Sequence, residues 1–182
     1  MRHLVVAVIA VTAALAVAGE TTRKEDAGLR YSLPTTWQRV PAPSDMRAAQ
    51  YRIPRAGTDT EDGELVLFFF GKSQGGGVEQ NLERWFSQFT QPDGRPTKEV
   101  AVIAKRKVGG LEITDVDLSG TYKPGVMGGG GGAEKPHYRM LAAIVEGEGG
   151  PWFFRATGPD TTIRDAQSDF GDLLGSLEPH PR

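Results

Sequence analysis

The sequence predicts an α+β domain built on a mainly antiparallel β-sheet with helices on both faces. The first observation is that residues 65–70 and 140–145 are continuous apolar runs, typical of strands buried on both sides. The second is that two amphipathic helical stripes are available, one after each run. Strands buried on both faces need a layer above and below, so we expect a three-layer α/β/α sandwich.

The remaining strands follow from alternation and from turn residues. Residues 28–34 alternate apolar and polar side chains up to Pro34, and short segments at 36–40 and 47–53 also end at prolines. The apolar run 65–70 belongs to a strand expected at residues 64–71, and residues 152–154 are a third, shorter central strand. Residues 98–108 and 111–122 predict a hairpin joined at Gly109 and Gly110. The alternation slips inside 111–122, so either a β-bulge lies near Thr114 and Asp115 or both faces are partly covered.

Two helices are predicted from apolar side chains at helical spacing. The stripe of the first consists of Val78, Leu82, Trp85, Phe86 and Phe89. The second is expected at 161–177, with a stripe of Ile163, Ala166, Phe170, Leu173, Leu174 and Leu177. Thr162 and Asp165 resemble a capping box at its start.

Residues 1–18 have the pattern of a secretory signal peptide. A short positive start is followed by an apolar run over residues 4–18 that ends in Ala16-Val17-Ala18, a small-residue cleavage site. The run is shorter than the roughly 20 residues that span a bilayer, although an uncleaved anchor is the alternative. We therefore expect an exported protein, periplasmic or extracellular, with no membrane span after cleavage.

The rest of the chain is expected to form one domain. Residues 19–27 predict a disordered leader, 28–178 a single α+β domain, 123–136 a flexible glycine-rich loop and 179–182 a tail. The chain has no cysteine, which excludes disulfides and a lipid-modified cysteine after the signal. Its 21 basic and 23 acidic residues give a formal charge of −2, so no basic excess indicates nucleic-acid binding.

A glycine-rich segment after the first central strand suggests a phosphate-binding loop. Lys72 and Ser73 follow Gly71, and three more glycines precede a helix. The Walker pattern needs a glycine five positions before Gly71, and that position is Val66. We interpret the segment as an ordinary strand-to-helix connection.

Two aspartates and two histidines are the candidates for metal or acid–base chemistry. Asp115 and Asp117 share one strand face, while His137 and His180 are the only histidines after the signal. No metal-ligand spacing or nucleophile motif accompanies them. We interpret the aspartates as solvated and His137 as a histidine at a strand edge, and we predict no catalytic, cofactor-binding or metal residue.

Aromatic and loop residues supply the last candidates. Trp37, Trp85 and Trp152 are interpreted as core residues rather than a ligand groove. Val126 and Met127 lie in the glycine-rich loop, which could order on a partner protein, but we interpret it as a loop whose length is simply tolerated.

The layout resembles the PsbP-like and DcrB-like α/β/α sandwich of exported bacterial proteins and thylakoid-lumen photosystem subunits. The resemblance lies in the opening Gly-Leu-Arg-Tyr-Ser-Leu-Pro of residues 28–34, in Trp37, in the closing residues 152–159 and in the helix around Asp169-Phe170. Its members act mostly as non-catalytic accessory or assembly proteins. The glycine-rich loop and the absent lipid-modified cysteine depart from the lipoprotein members, and no functional residue is carried over.

Three functions are therefore considered. The leading one is an exported, non-catalytic binding or accessory protein that contacts an envelope or secreted protein. The alternatives are a carrier of a small ligand or metal ion, with Asp115, Asp117 and His137 as first suspects, and a hydrolase whose site has no known motif.

Overall fold

The computed structural model of this chain describes residues 19–124 and 132–180. The expected signal peptide and the loop residues Val126 and Met127 lie outside the described residues. The strands are β1 (Thr21–Asp26), β2 (Leu29–Pro34), β3 (Gln38–Arg39), β4 (Arg47–Ile53), β5 (Gly63–Phe69), β6 (Phe89–Thr90), β7 (Val102–Val108), β8 (Leu111–Tyr122), β9 (Lys135–Glu146), β10 (Trp152–Pro159) and β11 (Glu178–Pro179). The helices are α1 (Val78–Phe86), α2 (Thr97–Val100), α3 (Asp160–Asp165) and α4 (Gln167–Gly175).

Two antiparallel sheets organise these strands. The larger has the order β3-β4-β5-β10-β9-β8-β6, and β7 also pairs with β8. The smaller has the order β1-β2-β11. Every strand pairing in the described part of the chain is antiparallel. The predicted α+β class with a mainly antiparallel sheet is therefore confirmed, although the residues form two sheets rather than one.

The central strands are buried on both sides, as their apolar runs predict. Along β9, Leu141, Ala143 and Val145 belong to one apolar cluster, which also contains the buried residues of β2, α3 and α4. The intervening residues of β9 belong to a second cluster, which contains Trp85 of α1 and Phe89. Because successive side chains of a strand point to opposite faces, the two clusters lie on opposite faces of the larger sheet.

The structure of β8 explains why the alternation of its apolar residues shifts by one position. Leu111 and Ile113 belong to the first cluster, whereas Val116 and Leu118 belong to the second. Pairing with β9 runs without a register shift through residues 112–120, and the irregularity lies between Gly120 and Tyr122. The bulge suggested near Thr114 is wrong, and the alternative of two covered faces is right.

The leader expected to be disordered is a strand. Residues 21–26 form β1, which pairs with β2 from Thr21 opposite Pro34 to Asp26 opposite Leu29. Asp26 fixes its end by accepting a hydrogen bond of 2.7 Å from the hydroxyl of Tyr31. Burial raises the pKa of Tyr31 well above its ordinary value, so this hydroxyl stays protonated and donates.

The expected tail is also partly ordered. Residues Glu178 and Pro179 form β11, which pairs with β2, and the backbone N–H of His180 donates to the carbonyl of Gly28 at 2.9 Å. The loop predicted at 123–136 ends earlier than expected, because β9 begins at Lys135.

The helices differ from the sequence prediction in three respects. Helix α1 ends at Phe86, and Phe89 lies in β6. A short helix, α2, precedes β7 at the start of the segment predicted as strand 98–108. The second long helix is divided into α3 and α4 at Ala166, whose ψ of −2° departs from the helical value near −42°.

The capping box predicted at the start of the second helix does not form. The carboxylate of Asp59, 103 residues earlier, accepts hydrogen bonds from the backbone N–H and the hydroxyl of Thr162 at 2.8 and 2.7 Å. A distant loop therefore satisfies a free N–H group in the first turn of α3, which a local residue was expected to do.

Candidate functional site

A cleft of about 820 Å³ opens on the face of the larger sheet that carries the second cluster. Helix α1 forms one wall, with Asn81, Arg84 and Trp85. Strands β5, β9 and β10 supply the floor, and residues 43–47 and 61–64 form the rim. This volume falls within the range of sites that bind small organic molecules.

The floor of the cleft is aromatic. The rings of Phe68 and Phe70 are stacked, with centroids 6.1 Å apart and an interplanar angle of 15°. Tyr122 and Tyr138 are also stacked, at 5.9 Å and 8°. All four rings line the cleft, so its floor suits an apolar or aromatic group.

Two arginines flank the ring of Phe68. The guanidinium carbon of Arg47 lies 5.8 Å from the ring centroid and that of Arg155 lies 5.5 Å from it, both within cation–π range. Sheet register produces this arrangement, because β5 lies between β4 and β10. Arg47 is held by Gln50 at 2.9 Å and by Glu64 at 3.5 Å. Arg155 forms no ion pair with any residue of 19–124 or 132–180.

A compact polar group stands at the side of the cleft. Glu61 accepts hydrogen bonds from the ammonium of Lys135 at 2.6 Å and from the hydroxyl of Tyr138 at 2.5 Å. These two donors hold the pKa of Glu61 below its ordinary value, and Glu61 raises the pKa of Lys135. Burial raises the pKa of Tyr138. The group is therefore an ion pair joined by a neutral phenol at neutral pH.

Three buried polar atoms of the cleft lining have no hydrogen-bond partner among the described residues. They are Gln88 Oε1, Arg155 Nε and Thr157 Oγ1. Gln88 is 9% exposed and Thr157 is 6% exposed. Leaving a buried polar atom without a partner costs about 1–3 kcal/mol, so each of these atoms calls for an explanation such as a bound ligand or water.

The aspartates singled out in the sequence lie outside the cleft and bind arginines. Asp115 pairs with Arg106 at 3.2 Å, and Asp117 pairs with Arg139 at 2.5 Å. Arg139 also contacts Asp160 at 3.3 Å. The interpretation of the two aspartates as solvated is therefore wrong, because both are paired with arginines. No group of three His, Asp or Glu suited to a metal occurs in the described ranges.

The histidine and loop candidates are exposed and separate. His137 is an exposed residue of β9 with a φ of 55°, and it does not line the cleft. Lys72 and Ser73 are exposed in the connection that precedes α1, whose N-cap is Gly77. The distance along the chain between Lys72 and this N-cap agrees with an ordinary strand-to-helix connection.

The three tryptophans are core residues, as interpreted. Trp37, Trp85 and Trp152 are 4%, 5% and 1% exposed. The indole N–H of Trp152 donates to the carbonyl of Ala27 at 3.0 Å, which joins β10 to the residues after β1. Trp85 has a second role, because its side chain also lines the cleft.

The residues that give the cleft its chemistry were not predicted from the sequence; they are Arg47, Gln88, Arg155 and Thr157. One signal was present in the sequence. Arg155 interrupts the apolar run of β10, and a charged residue in a strand buried on both faces is rarely placed there without a role.

The outer edge of β7 is a second candidate surface, which we call the β7 edge (residues 102–108). Six of its seven residues are exposed, with Val102 at 66% and Ile103 at 44%. Strand β7 pairs only with β8 among the described strands. Arg106 and Lys107 pair with carboxylates of β8, whereas Lys105 forms no ion pair with a described residue.

The comparisons with solved structures identify the fold. Cyanobacterial PsbP (CyanoP) from Synechocystis matches with a TM-score of 0.54 and 13% identity, over 94% of this chain and 99% of that protein. PA94 from Pseudomonas aeruginosa, a protein of unknown function described as a putative regulator, matches with a TM-score of 0.52 and 14% identity over 90% and 100%. No family model matches the sequence, and no curated protein matches it. The chain therefore has a PsbP-like fold, and identity this low supports the fold alone.

None of the helices described in residues 19–124 and 132–180 is long and apolar enough to cross a membrane.

Proposed function

We propose that this protein is a non-catalytic accessory protein that acts outside the cytoplasm by binding another protein. The PsbP-like fold is consistent with an accessory role. The signal-peptide pattern of residues 1–18 supports export. The observation that carries the proposal is the β7 edge, where Val102 and Ile103 are exposed on a strand with a free edge.

The fold proposed here is a three-layer sandwich. Helix α1 contributes to the second cluster, and α3 and α4 contribute to the first. The small β1-β2-β11 sheet shares the first face with α3 and α4, since α4 packs against β2. This arrangement gives the domain a rigid frame, from which the β7 edge is presented to a partner.

The partner proposed for the β7 edge is an extended, acidic segment of another protein. A free strand edge offers backbone N–H and C=O groups that an added strand can pair with. Lys105 of this edge forms no ion pair with a described residue, so a strand with an acidic side chain opposite it gains a favourable cross-strand pair. A second copy of β7 would instead place cations against cations, which disfavours self-association through this edge.

Site-specific cross-linking in living cells tests the proposal. A photo-reactive residue is placed at Ile103 of the full-length chain, and at exposed Thr60 as the control position. We expect a protein adduct at Ile103 that is lost when Lys105→Glu is added. Lys72→Glu, a charge reversal at an exposed lysine outside β7, should leave the adduct intact. Equal adducts from Ile103 and Thr60, or an adduct unaffected by Lys105→Glu, would contradict binding at this edge.

Export is tested separately by sequencing the amino terminus of the protein recovered outside the cytoplasm. Cleavage after Ala18 predicts that the first residue is Gly19. Recovery of the chain from the cytoplasm alone, with residues 1–18 intact, would refute this part of the proposal.

The two carrier alternatives, for a metal ion and for a small ligand, are not equally supported. A metal at Asp115 and Asp117 would have to displace Arg106 and Arg139, so these residues do not favour a metal carrier. The cleft favours the small-ligand alternative.

A further inference from the structure

We propose that the cleft is a binding site for an organic anion with a flat aromatic body, such as an aromatic carboxylate. This inference goes beyond the proposed function, because the cleft and the β7 edge share no residue. Three independent features of the cleft carry it: its charge, its aromatic floor and its buried polar atoms.

The charges of the cleft favour an anion. Each of its three carboxylates already has a cationic partner: Glu61 pairs with Lys135, Asp62 with Arg52 and Glu64 with Arg47. The remaining two cations, Arg84 and Arg155, have no carboxylate within 4.0 Å among the described residues. Both side chains line the cleft, and a guanidinium group binds a carboxylate through two parallel hydrogen bonds.

The floor favours an aromatic body. Phe68, Phe70 and Phe153 all line the cleft; the first two rings are stacked, and the ring of Phe153 lies 5.9 Å from that of Phe70. A planar ring placed on this surface gains both apolar burial and aromatic stacking. The cleft volume of about 820 Å³ accommodates a ligand larger than an inorganic anion. A simple phosphate or acetate would leave the aromatic floor in contact with water.

The buried polar atoms supply the specificity. Thr157 Oγ1 and Arg155 Nε lie on the same face of β10, two residues apart, and both can donate to a carboxylate. The amide of Gln88 presents either its oxygen or its NH2 group after a 180° rotation. A bound carboxylate would satisfy Arg155 Nε and Thr157 Oγ1, so their lack of a described partner points to a ligand on this face of β10.

Binding is measured by calorimetry with the protein secreted from its full-length chain. The probe is 2-naphthoate, compared with 2-naphthamide, which has the same aromatic body without charge, and with acetate, which has the charge without the body. We expect 2-naphthoate to bind roughly tenfold more tightly than either comparator. The naphthamide lacks the charge that strengthens a hydrogen bond, and acetate leaves the aromatic floor in contact with water. Equal binding of naphthoate and naphthamide would overturn the assignment of an anion. Equal binding of naphthoate and acetate would overturn the assignment of an aromatic body.

Substitutions locate the site. Arg155→Gln should weaken naphthoate binding roughly tenfold to a hundredfold. Arg164→Gln, which changes an exposed arginine of α3 outside the cleft, should leave the affinity unchanged. An Arg155→Gln protein that folds and binds with unchanged affinity would overturn the proposal.

Thr157→Val is a second test of the site, which remains available if the Arg155→Gln protein does not fold. Valine has nearly the shape of threonine and removes a buried hydroxyl that has no described partner. We expect the thermal midpoint to rise while naphthoate affinity falls several-fold, a combination that a structural role alone would not produce. A higher midpoint with unchanged affinity would show that the hydroxyl does not face the ligand and would overturn the proposal.

Discussion

Asp26 ties the end of β1 to a buried tyrosine, and Asp26→Asn tests how much this carboxylate contributes to stability. Asp26 ends β1, and its side chain is 9% exposed. It accepts one hydrogen bond from Tyr31 at 2.7 Å and another from Arg39 at 2.6 Å. The Tyr31 hydroxyl is fully buried and also lies 3.0 Å from the hydroxyl of Tyr51. Asparagine keeps the shape but removes the charge, and its NH2 group faces a donor.

The loss of stability follows from the two contacts. A hydrogen bond between a buried hydroxyl and a charged acceptor contributes about 1.5–3 kcal/mol. The Arg39 side chain is 48% exposed, so its ion pair with Asp26 is screened by water and contributes about 0–1 kcal/mol. We therefore expect Asp26→Asn to lower the free energy of unfolding by about 1.5–4 kcal/mol, a large share of the 5–15 kcal/mol typical of a domain.

Urea unfolding of the two neighbouring variants Asp26→Asn and Glu25→Gln provides the measurement. Glu25 lies on the same strand but is exposed, and it pairs with Arg30 across the surface. We expect a lower urea midpoint for Asp26→Asn with an unchanged slope, and an unchanged midpoint for Glu25→Gln. Coinciding unfolding curves for the two variants would refute the argument that Asp26 anchors β1.

Three further predictions concern the ion pairs and caps outside the cleft. Asp59→Ala should destabilise the protein by about 1–2 kcal/mol in urea unfolding, because α3 loses its capping carboxylate, whereas Asp45→Ala at an exposed loop position should not. Arg139→Gln should cost about 1–3 kcal/mol, since it leaves half-buried Asp117 without a cation while Asp160 keeps Arg164, and no change in the urea midpoint would contradict this. Burial raises the pKa of Asp169, so its ionisation costs stability as the pH rises through that pKa. Asp169→Asn should therefore raise the thermal midpoint near pH 7 but not near pH 3, where the carboxyl is protonated in both states, and an equal effect at both pH values would exclude this cause.

The central strands were predictable because their pattern is local. Continuous apolar runs such as Leu65-Val66-Leu67 indicate burial on both faces whatever the rest of the chain does. The apolar residues of β8 change from odd to even positions, and this change also indicates two covered faces. Ile113 belongs to the first cluster and Val116 to the second. The helix α1 stripe was read correctly up to Phe86 for the same reason.

The leader was missed because its side chains carry no apolar strand pattern of their own. The sequence Thr-Thr-Arg-Lys-Glu-Asp of β1 has no apolar side chain, so nothing local predicts a strand. Its stability comes from the β2 edge and from Asp26, whose partners lie 5 and 13 residues away. The cap of α3 by Asp59 spans 103 residues and is equally invisible to a local capping rule.

The cleft was missed because sheet order, not sequence order, assembles it. Arg47 and Arg155 are separated by most of the domain, and they meet at Phe68 only because β4 and β10 flank β5. The predicted helices and strands do not specify the order of the strands in the sheet, so they do not place the two arginines together. A charged residue within a strand predicted to be buried on both faces is the one local signal that could have drawn attention to it.

The proposed ligand site and the first cluster lie on opposite faces of the larger sheet. The first cluster is closed by α3, α4 and β2, and most of its large side chains are less than 5% exposed. The second face is open at the cleft, where Thr157 and Gln88 retain polar atoms without described partners. Apolar truncations such as Leu173→Ala on the first face should therefore reduce stability by about 2–5 kcal/mol without changing naphthoate affinity per folded molecule. Substitution of polar cleft residues should change affinity with little loss of stability, and if truncations on the two faces instead altered affinity equally, the separation of roles would be wrong.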